Sequence, residues 1–545
     1  SSQKVSKAMG CLLFLNVFVL CRTVNAAIGR DEISTLPGYV FADGYPKPLP
    51  TKHWSGYIEV KIPANSSSGV PAGSAFIHYW LVESSARKSD VPTVVWQQGG
   101  PGSSSLMGFF TENGPFTLND GSFQTEHYKK TGIPTVFDNP SSWHAHANML
   151  YVEHPAPTGF SYCVPAKACT WNDYNQALVN YQFYINFFDA YPELAKNAFY
   201  FTGESYAGVL VPTVALQILS HTTASNKDTA PWNLKGFMLG NDCPGNQIYT
   251  CTPYSHWRGV KVALDFRYGH GMIPDDLYRE IYAACASWWS DKPFPADGHM
   301  GDDPPEKCKT LLEDPARPCM SVAGDTYEMG GGYYLYDTCQ KDLMALNATD
   351  GLPHPRDFVA QAQFASLTAS AESYPCGQER ASQHWLNLVQ VQKAINTKLV
   401  GKSNFDFSTD LNYTKTAWNL LPDYKEKLIP NYRILQFSGD ADPCVPHVGT
   451  RRWIESLDLP KAKPWHPWSA AGSSYIAGYN EIYAGEGVHS SFTFATVRNA
   501  GHMVPRYKPA EALYMFHSFL SDRTLRGAPN PGAGNTAASK GSVVV

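Results

Sequence analysis

The sequence is short of charge and of long apolar segments, and each lack excludes a class of protein. Asp, Glu, Lys and Arg make up 17% of the 545 residues, and the formal net charge is -5. This balance favours neither nucleic acid nor an acidic surface as a partner. An apolar run at residues 11–20 is too short to span a bilayer, so no membrane anchor is predicted. No internal repeat is evident, which argues against a repeat architecture.

Residue spacings typical of metal sites are also missing. The 12 cysteines follow no zinc pattern. His144 and His146 stand in a predicted loop without further ligands, so we interpret them as surface residues. The sequence therefore predicts no metal and no cofactor.

The first 26 residues are typical of a signal peptide. Lys4 and Lys7 precede the apolar run, and small residues suited to cleavage follow it. A buried N-terminal helix is the alternative interpretation. Sequons at Asn65, Asn347 and Asn412 fit a glycoprotein of the secretory pathway, either secreted or vacuolar/lysosomal.

Cleavage of that segment would leave ten cysteines. An even count behind a signal peptide indicates an oxidising compartment and up to five disulfides. Pairings cannot be deduced from sequence, but Cys163–Cys169 and Cys243–Cys251 are the easiest local choices because their loops are short.

Strands alternate with helices over most of the chain, which predicts an α/β fold with a doubly wound, mostly parallel sheet. A core is expected at residues 27–241 and 381–526. A disulfide-rich, mainly helical lid is expected at 242–380, and the Gly- and Ala-rich tail 527–545 is expected to be disordered. The predicted strands are 57–63, 75–82, 91–96, 147–153, 234–240, 432–438 and 492–497, and the predicted helices are 171–191, 274–284, 385–398 and 509–520.

The chain is organised around the sequence from Ala198 to Pro212, in which a buried strand leads into G-E-S-Y-A-G and then into a helix. A G-x-S-x-G turn between strand and helix is a nucleophile elbow, and it presents Ser205 at a helix N-terminus. Such a serine needs an acid and a histidine later in the chain. Asp442 follows a late strand, and His502 precedes the last helix, so the order Ser, Asp, His is the required one.

The chemistry of acyl transfer assigns a role to each of these residues. Ser205 would attack a carbonyl, His502 would carry the proton, and Asp442 would orient the imidazole and stabilise its cation. The negative oxygen of the tetrahedral intermediate needs backbone donors. The N–H of Tyr206 and the glycine loop at Gly99 and Gly100 can supply them.

The chain resembles serine carboxypeptidases of the α/β-hydrolase fold. The motifs that carry the resemblance span nearly the whole chain after the signal segment: GESYAG at 203–208, GGPG at 99–102, GDAD at 439–442, GHMVP at 501–505, TGFSY at 158–162 and ENGPF at 112–116. The resemblance implies removal of the last residue of a peptide in two steps. It implies Ser205, Asp442 and His502 as the triad, and the N–H groups of Gly100 and Tyr206 as oxyanion donors.

The resemblance also implies a binding site for the substrate's terminal carboxylate, formed by Trp96, Gln98 and Glu204 with the backbone of Gly99. An ionised Glu204 would repel that carboxylate. If Glu112 lies beside it, burial and like charge raise the pKa of both carboxyl groups, so Glu204 can donate a proton. We therefore expect faster peptide hydrolysis at acidic than at neutral pH.

Several positions depart from the family pattern. Gln98 stands where Asn is usual, Ser103 where Cys is common and Asp242 where Gly is usual, and His154 and Pro157 alter a familiar loop. Two other functions stay open. The same machinery serves acyltransferases and esterases, and a non-catalytic binding or protective protein could retain the fold. The predicted partners are peptide or protein C-termini, and the oligomeric state is left open.

Overall fold

A computed structural model describes residues 31–64, 70–86, 90–223, 232–246, 248, 250–251, 257–289, 303–313, 332–337, 339, 376–470, 473–485 and 488–526. The predicted signal peptide, the predicted tail and the sequons at Asn65 and Asn347 lie outside these residues.

A 12-stranded sheet forms the centre of the described chain. Along its main path the order is β1-β2-β3-β7-β4-β10-β11-β13-β16-β15-β14, and β8 pairs with β3. The strands are β1 (Glu32–Ile33), β2 (His53–Ile62), β3 (Gly73–Val82), β4 (Thr93–Gln97), β5 (Phe116–Thr117), β6 (Phe137–Asp138), β7 (Asn148–Val152), β8 (Tyr162–Val164), β9 (Trp171–Asn172), β10 (Ala198–Glu204), β11 (Asn233–Gly240), β12 (Tyr413–Thr414), β13 (Arg433–Gly439), β14 (Lys461–Trp468), β15 (Gly478–Gly485) and β16 (Val488–Val497).

The middle of the sheet is parallel and its margins are antiparallel. Strands β7, β4, β10, β11, β13 and β16 run parallel, whereas β1, β2, β3, β8, β14 and β15 pair antiparallel. The sheet is therefore mixed, and the predicted parallel part is its centre. In the register of the central strands, Gly203 lies opposite Gln97 and Glu204 opposite Gly240. This register brings three strand ends to the same edge.

Helices cover both faces of the sheet, as the doubly wound prediction requires. On one face α3 and α4 contribute Phe183 and Leu210 to an apolar cluster, and on the other α1 and α13 contribute Phe109 and Phe516. The helices are α1 (Ser105–Thr111), α2 (Glu126–Thr131), α3 (Asp173–Ala190), α4 (Ala207–Thr223), α5 (Trp257–Gly269), α6 (Asp275–Ala284), α7 (Glu306–Leu312), α8 (Gln378–Leu386), α9 (Val389–Ala394), α10 (Leu421–Asp423), which continues as a π-helical turn at Tyr424–Leu428, α11 (His447–Ser456), α12 (Val504–Tyr507) and α13 (Pro509–Leu520).

The described part of the predicted lid is helical and has a small apolar core of its own. Helices α5, α6 and α7 pack together through buried side chains that include Leu264, Ile281 and Leu312. The disulfide Cys285–Cys308 ties α6 to α7. The domain boundaries at 242 and 380 stay predictions.

Four disulfides lie within the described residues. Cys163–Cys169 and Cys243–Cys251 match the two local pairings predicted from loop length. Cys285–Cys308 and Cys339–Cys376 join residues farther apart in the sequence. Cys444 forms no disulfide with any described residue, and Cys319 lies outside them.

The helix predicted over 385–398 is wrong in detail. It is two helices, α8 and α9, separated at Asn387 and Leu388. The Asn387 amide donates to Gln383 O (2.8 Å) and Phe405 O (3.0 Å), and its oxygen accepts from Phe405 N (2.7 Å), so these contacts end the helix.

No helix in the described portions of the chain combines the length and the apolar character needed to cross a membrane.

Candidate active site

The turn at Ser205 has the backbone of a nucleophile elbow. Ser205 has φ +62°, in the left-handed region, between the end of β10 at Glu204 and the start of α4 at Ala207. Its N–H donates to Gly240 O (3.0 Å), and its carbonyl accepts from Gly208 N (3.0 Å). A Cβ on Gly203 would lie 2.3 Å from Gln97 O, and one on Gly208 would lie 2.5 Å from Cys243 O. Glycine is therefore required at Gly203 and Gly208, where other backbone segments pack closely against the turn. The strained backbone angle is the φ of Ser205.

Asp442 and His502 form a buried pair. His502 Nδ1 lies 2.8 Å from Asp442 Oδ2, and the two residues are 4% and 0% exposed. Asp442 also accepts from Asn241 Nδ2 (2.8 Å), Cys444 N (2.8 Å) and Val445 N (3.1 Å). Because the Asp442 carboxylate can only accept, it accepts a hydrogen bond from Nδ1–H, and Nε2 is left as the acceptor for a substrate-side proton.

Each of the three predicted triad residues follows one of the central parallel strands of the sheet. Ser205 follows β10, Asp442 follows β13 and His502 follows β16, and these parallel strands all point their carboxyl ends to one edge. Such an edge is where open α/β sheets bind ligands.

Sequence reasoning missed two residues that hold this pair. Asn241 ends β11, between β10 and β13, and its side chain bonds both Asp442 and Gly439 N (3.0 Å). Tyr333 comes from the predicted lid, where its carbonyl accepts from His502 N (2.7 Å) and its ring stacks on the imidazole at 5.0 Å. Asn241 could have been found, since it is a polar residue at the carboxyl end of a predicted strand. Nothing in the local pattern marks Tyr333.

The glycine loop lies directly against the elbow. A Cβ on Gly99 would lie 2.5 Å from Tyr206 N and 2.7 Å from Ser205 Cβ, so only glycine allows this approach. Gly100 has φ +107°. Among the described residues, neither the Gly100 N–H nor the Tyr206 N–H donates a hydrogen bond. Both N–H groups are therefore unengaged, as the predicted oxyanion donors need to be.

The residues predicted to bind a carboxylate lie together and are buried. Trp96 Nε1 donates to Gln98 Oε1 (2.8 Å), and Gln98 Nε2 donates to Glu204 Oε1 (2.5 Å). The longer Gln98 side chain thus still reaches Glu204. Glu112, at the C-terminal end of α1, is 4% exposed, and neither of its carboxyl oxygens has a partner in hydrogen-bond geometry among the described residues.

Both carboxyl groups of this cluster are hard to ionise. Burial raises the pKa of Glu112 to about 8, against the opposing effects of Glu204, Arg506 and Gln98. Burial, and then the charge of Glu112, raise the pKa of Glu204 well above its usual range. The pair therefore keeps a proton at neutral pH.

The remaining predicted residues have simpler surroundings. His144 and His146 are half-buried rather than at the surface, and His146 stacks on the ring of His517 at 4.1 Å. No cluster of metal-binding side chains occurs among the described residues. Asn412 is exposed, and its amide donates to Thr170 Oγ1 (3.1 Å).

Asp242, one of the departures from the family pattern, is fully buried beneath the elbow helix. Burial raises its pKa to about 8. With its amide turned so that both ends are satisfied, Gln436 donates to Asp242 Oδ1 (2.9 Å) and accepts from Tyr424 (3.1 Å). The acid is thus kept neutral within a buried polar network.

Asp242→Asn is expected to flatten the dependence of stability on pH. Between about pH 4 and pH 8 the folded state binds a proton that the unfolded state has lost, so the free energy of unfolding falls as pH rises. The full penalty above that window is about 6 kcal/mol. Denaturant unfolding at both ends of the window should show that the free energy of unfolding of the variant, relative to the wild type, increases as pH rises. The exposed Asp43→Asn variant controls for charge loss, and an equal slope in the wild type and Asp242→Asn would refute this role.

A parallel sheet with a nucleophile elbow and an acid–histidine pair at its carboxyl edge defines an α/β hydrolase. The fold is shared with a prohormone-processing carboxypeptidase from Saccharomyces cerevisiae, whose crystal structure matches at TM-score 0.61 and 18% identity over 91% of this chain and 96% of that one.

The chain belongs to the serine carboxypeptidase family, whose model matches residues 44–522. It is 29% identical over 520 residues to Serine carboxypeptidase 1 from Hordeum vulgare, covering 92% of this chain and 94% of the relative. It is 31% identical over 510 residues to Serine carboxypeptidase-like 26 from Arabidopsis thaliana, covering 91% and 94%. These matches confirm the resemblance inferred from the motifs.

Proposed function

We propose that this protein hydrolyses peptides from their carboxyl end, releasing one residue at a time through an acyl-enzyme. The observation that carries the proposal is the buried Asp442–His502 hydrogen bond, placed at the sheet edge where the left-handed turn presents Ser205. Family membership supports peptides as the substrate class.

The reaction proceeds in two halves. In the first, Ser205 Oγ attacks the carbonyl carbon of the last peptide bond while His502 Nε2 takes its proton. The N–H groups of Gly100 and Tyr206 stabilise the oxyanion, and His502 returns the proton to the leaving amine. In the second half, water replaces the amine, His502 again acts as base, and the shortened peptide leaves with Ser205 restored.

Glu204 and Gln98 select a substrate with a free terminal carboxylate. A protonated Glu204 donates a hydrogen bond to that carboxylate, whereas an ionised one repels it. Gln98 holds Glu204 through its amide, and Trp96 holds Gln98 in turn. The Gly99 backbone completes the site. Glu112 raises the pKa of Glu204, so Glu204 keeps its proton.

This arrangement predicts a falling rate of peptide hydrolysis as pH rises. Glu204 carries its proton below its raised pKa and loses it as pH rises through that pKa. Glu204→Gln, which donates a hydrogen bond at any pH, should lose less kcat/KM than the wild type between acidic and alkaline pH. The readout is the pH profile of kcat/KM on a peptide with a free C-terminus.

An ester substrate without a terminal carboxylate is the control, because it reports the titration of the triad alone. Its profile should be the same in the wild type and in Glu204→Gln. If the two enzymes also had the same profile on the peptide, Glu204 would have no part in carboxylate binding.

We also propose that the protein enters the secretory pathway and is secreted or vacuolar/lysosomal. The four disulfides support an oxidising compartment. Glycosylation is proposed at Asn65, Asn347 and Asn412. Exposure of Asn412 supports the third of these, and digestion with a glycosidase followed by mass measurement tests all three.

A further inference from the structure

We propose that Asp173 is a positioning residue that holds the oxyanion donor at Tyr206 through the tyrosine side chain. The proposal rests on the proposed function, since it concerns the same acyl transfer. Asp173 itself lies away from the reacting atoms, and it acts through Tyr206.

The first observation is that Tyr206 is fixed at its far end. The residue is 2% exposed, and its hydroxyl donates to Asp173 Oδ1 (2.7 Å). Asn246 Nδ2 donates to the same hydroxyl (3.1 Å), and Lys415 Nζ lies 5.3 Å from the ring centre. The side chain of the residue after the nucleophile is therefore held on three sides by segments distant in sequence.

The second observation is that Asp173 is itself immobile. It is 0% exposed and stands in the first turn of α3, where the helix dipole favours a carboxylate. Its Oδ1 also accepts from Tyr413 OH (2.7 Å), and its Oδ2 accepts from the backbone N–H groups of Thr416 and Ala417, the latter at 2.7 Å. A carboxylate held by so many donors provides a fixed anchor.

The consequence concerns the backbone of Tyr206. This residue joins the strained Ser205 to the start of α4, and its N–H faces Gly99 without any hydrogen-bond partner among the described residues. A free N–H at a strained turn is not held in place by a bond of its own. Oxyanion donors act only when they are aimed in advance at the developing charge. The Tyr206 carbonyl accepts from Val209 N (2.9 Å) and Leu210 N (3.2 Å), which holds the backbone at one end, and the bond from the phenol to Asp173 holds the residue at the other.

Tyr206→Phe and Tyr413→Phe form a matched pair for the test. Each removes one hydroxyl that donates to Asp173 Oδ1 at 2.7 Å, but only Tyr206 carries the proposed donor. Tyr206→Phe is expected to lower kcat about tenfold to a hundredfold while KM changes little. Tyr413→Phe is expected to leave both constants within about threefold of the wild type, because the N–H groups of Thr416 and Ala417 still hold Asp173.

Two binding measurements separate positioning from a general loss of structure. A peptide aldehyde forms a tetrahedral adduct with an oxyanion, whereas the shortened peptide product forms none. Tyr206→Phe should lower the affinity for the aldehyde in parallel with kcat and leave the affinity for the product unchanged. Asp173→Ala removes the acceptor of that bond and should behave in the same way. If Asp173→Ala does not fold, the tyrosine pair alone decides.

The inference is overturned if Tyr206→Phe and Tyr413→Phe lower kcat equally, or if the affinities for aldehyde and product fall together. Ser205→Ala tests the proposed function separately. If Ser205→Ala abolishes hydrolysis while the tyrosine pair shows no difference, only the positioning role is wrong. If Ser205→Ala retains full activity, the proposed function itself is wrong.

Discussion

Replacing Ser205 with alanine is expected to lower kcat for peptide hydrolysis roughly a millionfold, the size of effect found when a serine hydrolase loses its nucleophile. The reason is that no acyl-enzyme can form without the hydroxyl that the left-handed turn presents. The variant should also fail to react with a fluorophosphonate probe. Single-turnover kinetics and probe labelling measure the two effects independently.

Ser403→Ala is the matched control for this experiment. Ser403 is exposed, and among the described residues its hydroxyl donates only to the neighbouring Asn404 (2.9 Å). Its loss should leave hydrolysis and labelling unchanged. Continued labelling of Ser205→Ala, with activity close to the wild type, would place the nucleophile elsewhere.

Asp442→Asn is expected to lower kcat about ten thousandfold. The amide can no longer take the Nδ1 proton of His502 while still accepting from Cys444 N and Val445 N, so the imidazole is held in the wrong tautomer. Affinity for substrate should change little, because Asp442 makes no contact with it in the proposed mechanism. Steady-state kinetics on one peptide substrate measure both constants.

The control for Asp442 lies in the same motif. Asp440 precedes it by two residues, and its carboxylate accepts from Asn499 N (2.6 Å) rather than from the histidine. Asp440→Asn keeps an oxygen for that bond, so its kcat should fall less than about tenfold. Equal losses in the two variants would mean that the motif acts through its loop shape and not through the acid at Asp442.

Features encoded by neighbouring residues could be predicted from the sequence. The elbow at Ser205 is one, because the glycines, the strand before it and the helix after it are contiguous. The short disulfides Cys163–Cys169 and Cys243–Cys251 are another, since a loop of a few residues leaves little choice of partner. Elements that depend on distant contacts were missed, because no local pattern encodes them.

Three examples show what distance and context add. Tyr333, in the predicted lid segment, lies against His502 although the two residues are far apart in the sequence. Val389 follows the break in the predicted helix 385–398 and is 62% exposed, whereas Val391 is buried. Strand β14 contains Pro464 and Pro467, which argue against a strand in sequence, yet it lies at the edge of the sheet, where proline is tolerated.

The cluster of carboxyl groups was predicted in part. Its members and their raised pKa values follow from the motif and from burial, but the path from Trp96 through Gln98 to Glu204 depends on a parallel register that only the folded sheet provides. Gln98 shows the limit of comparison by residue type. It stands where the family usually has Asn, and its amide nevertheless bonds Glu204.

In the proposed function, a single active site built around Ser205 recognises and shortens the carboxyl end of a peptide. The direct measurement uses two peptides of the same sequence, one with a free C-terminal carboxylate and one with an amide, digested at acidic pH and followed by mass spectrometry. We expect the free peptide to lose its last residues one by one and the amidated peptide to be shortened far more slowly. With Ser205→Ala, neither peptide should be shortened. Cleavage at internal bonds, shortening from the amino end or equal digestion of both peptides would contradict it.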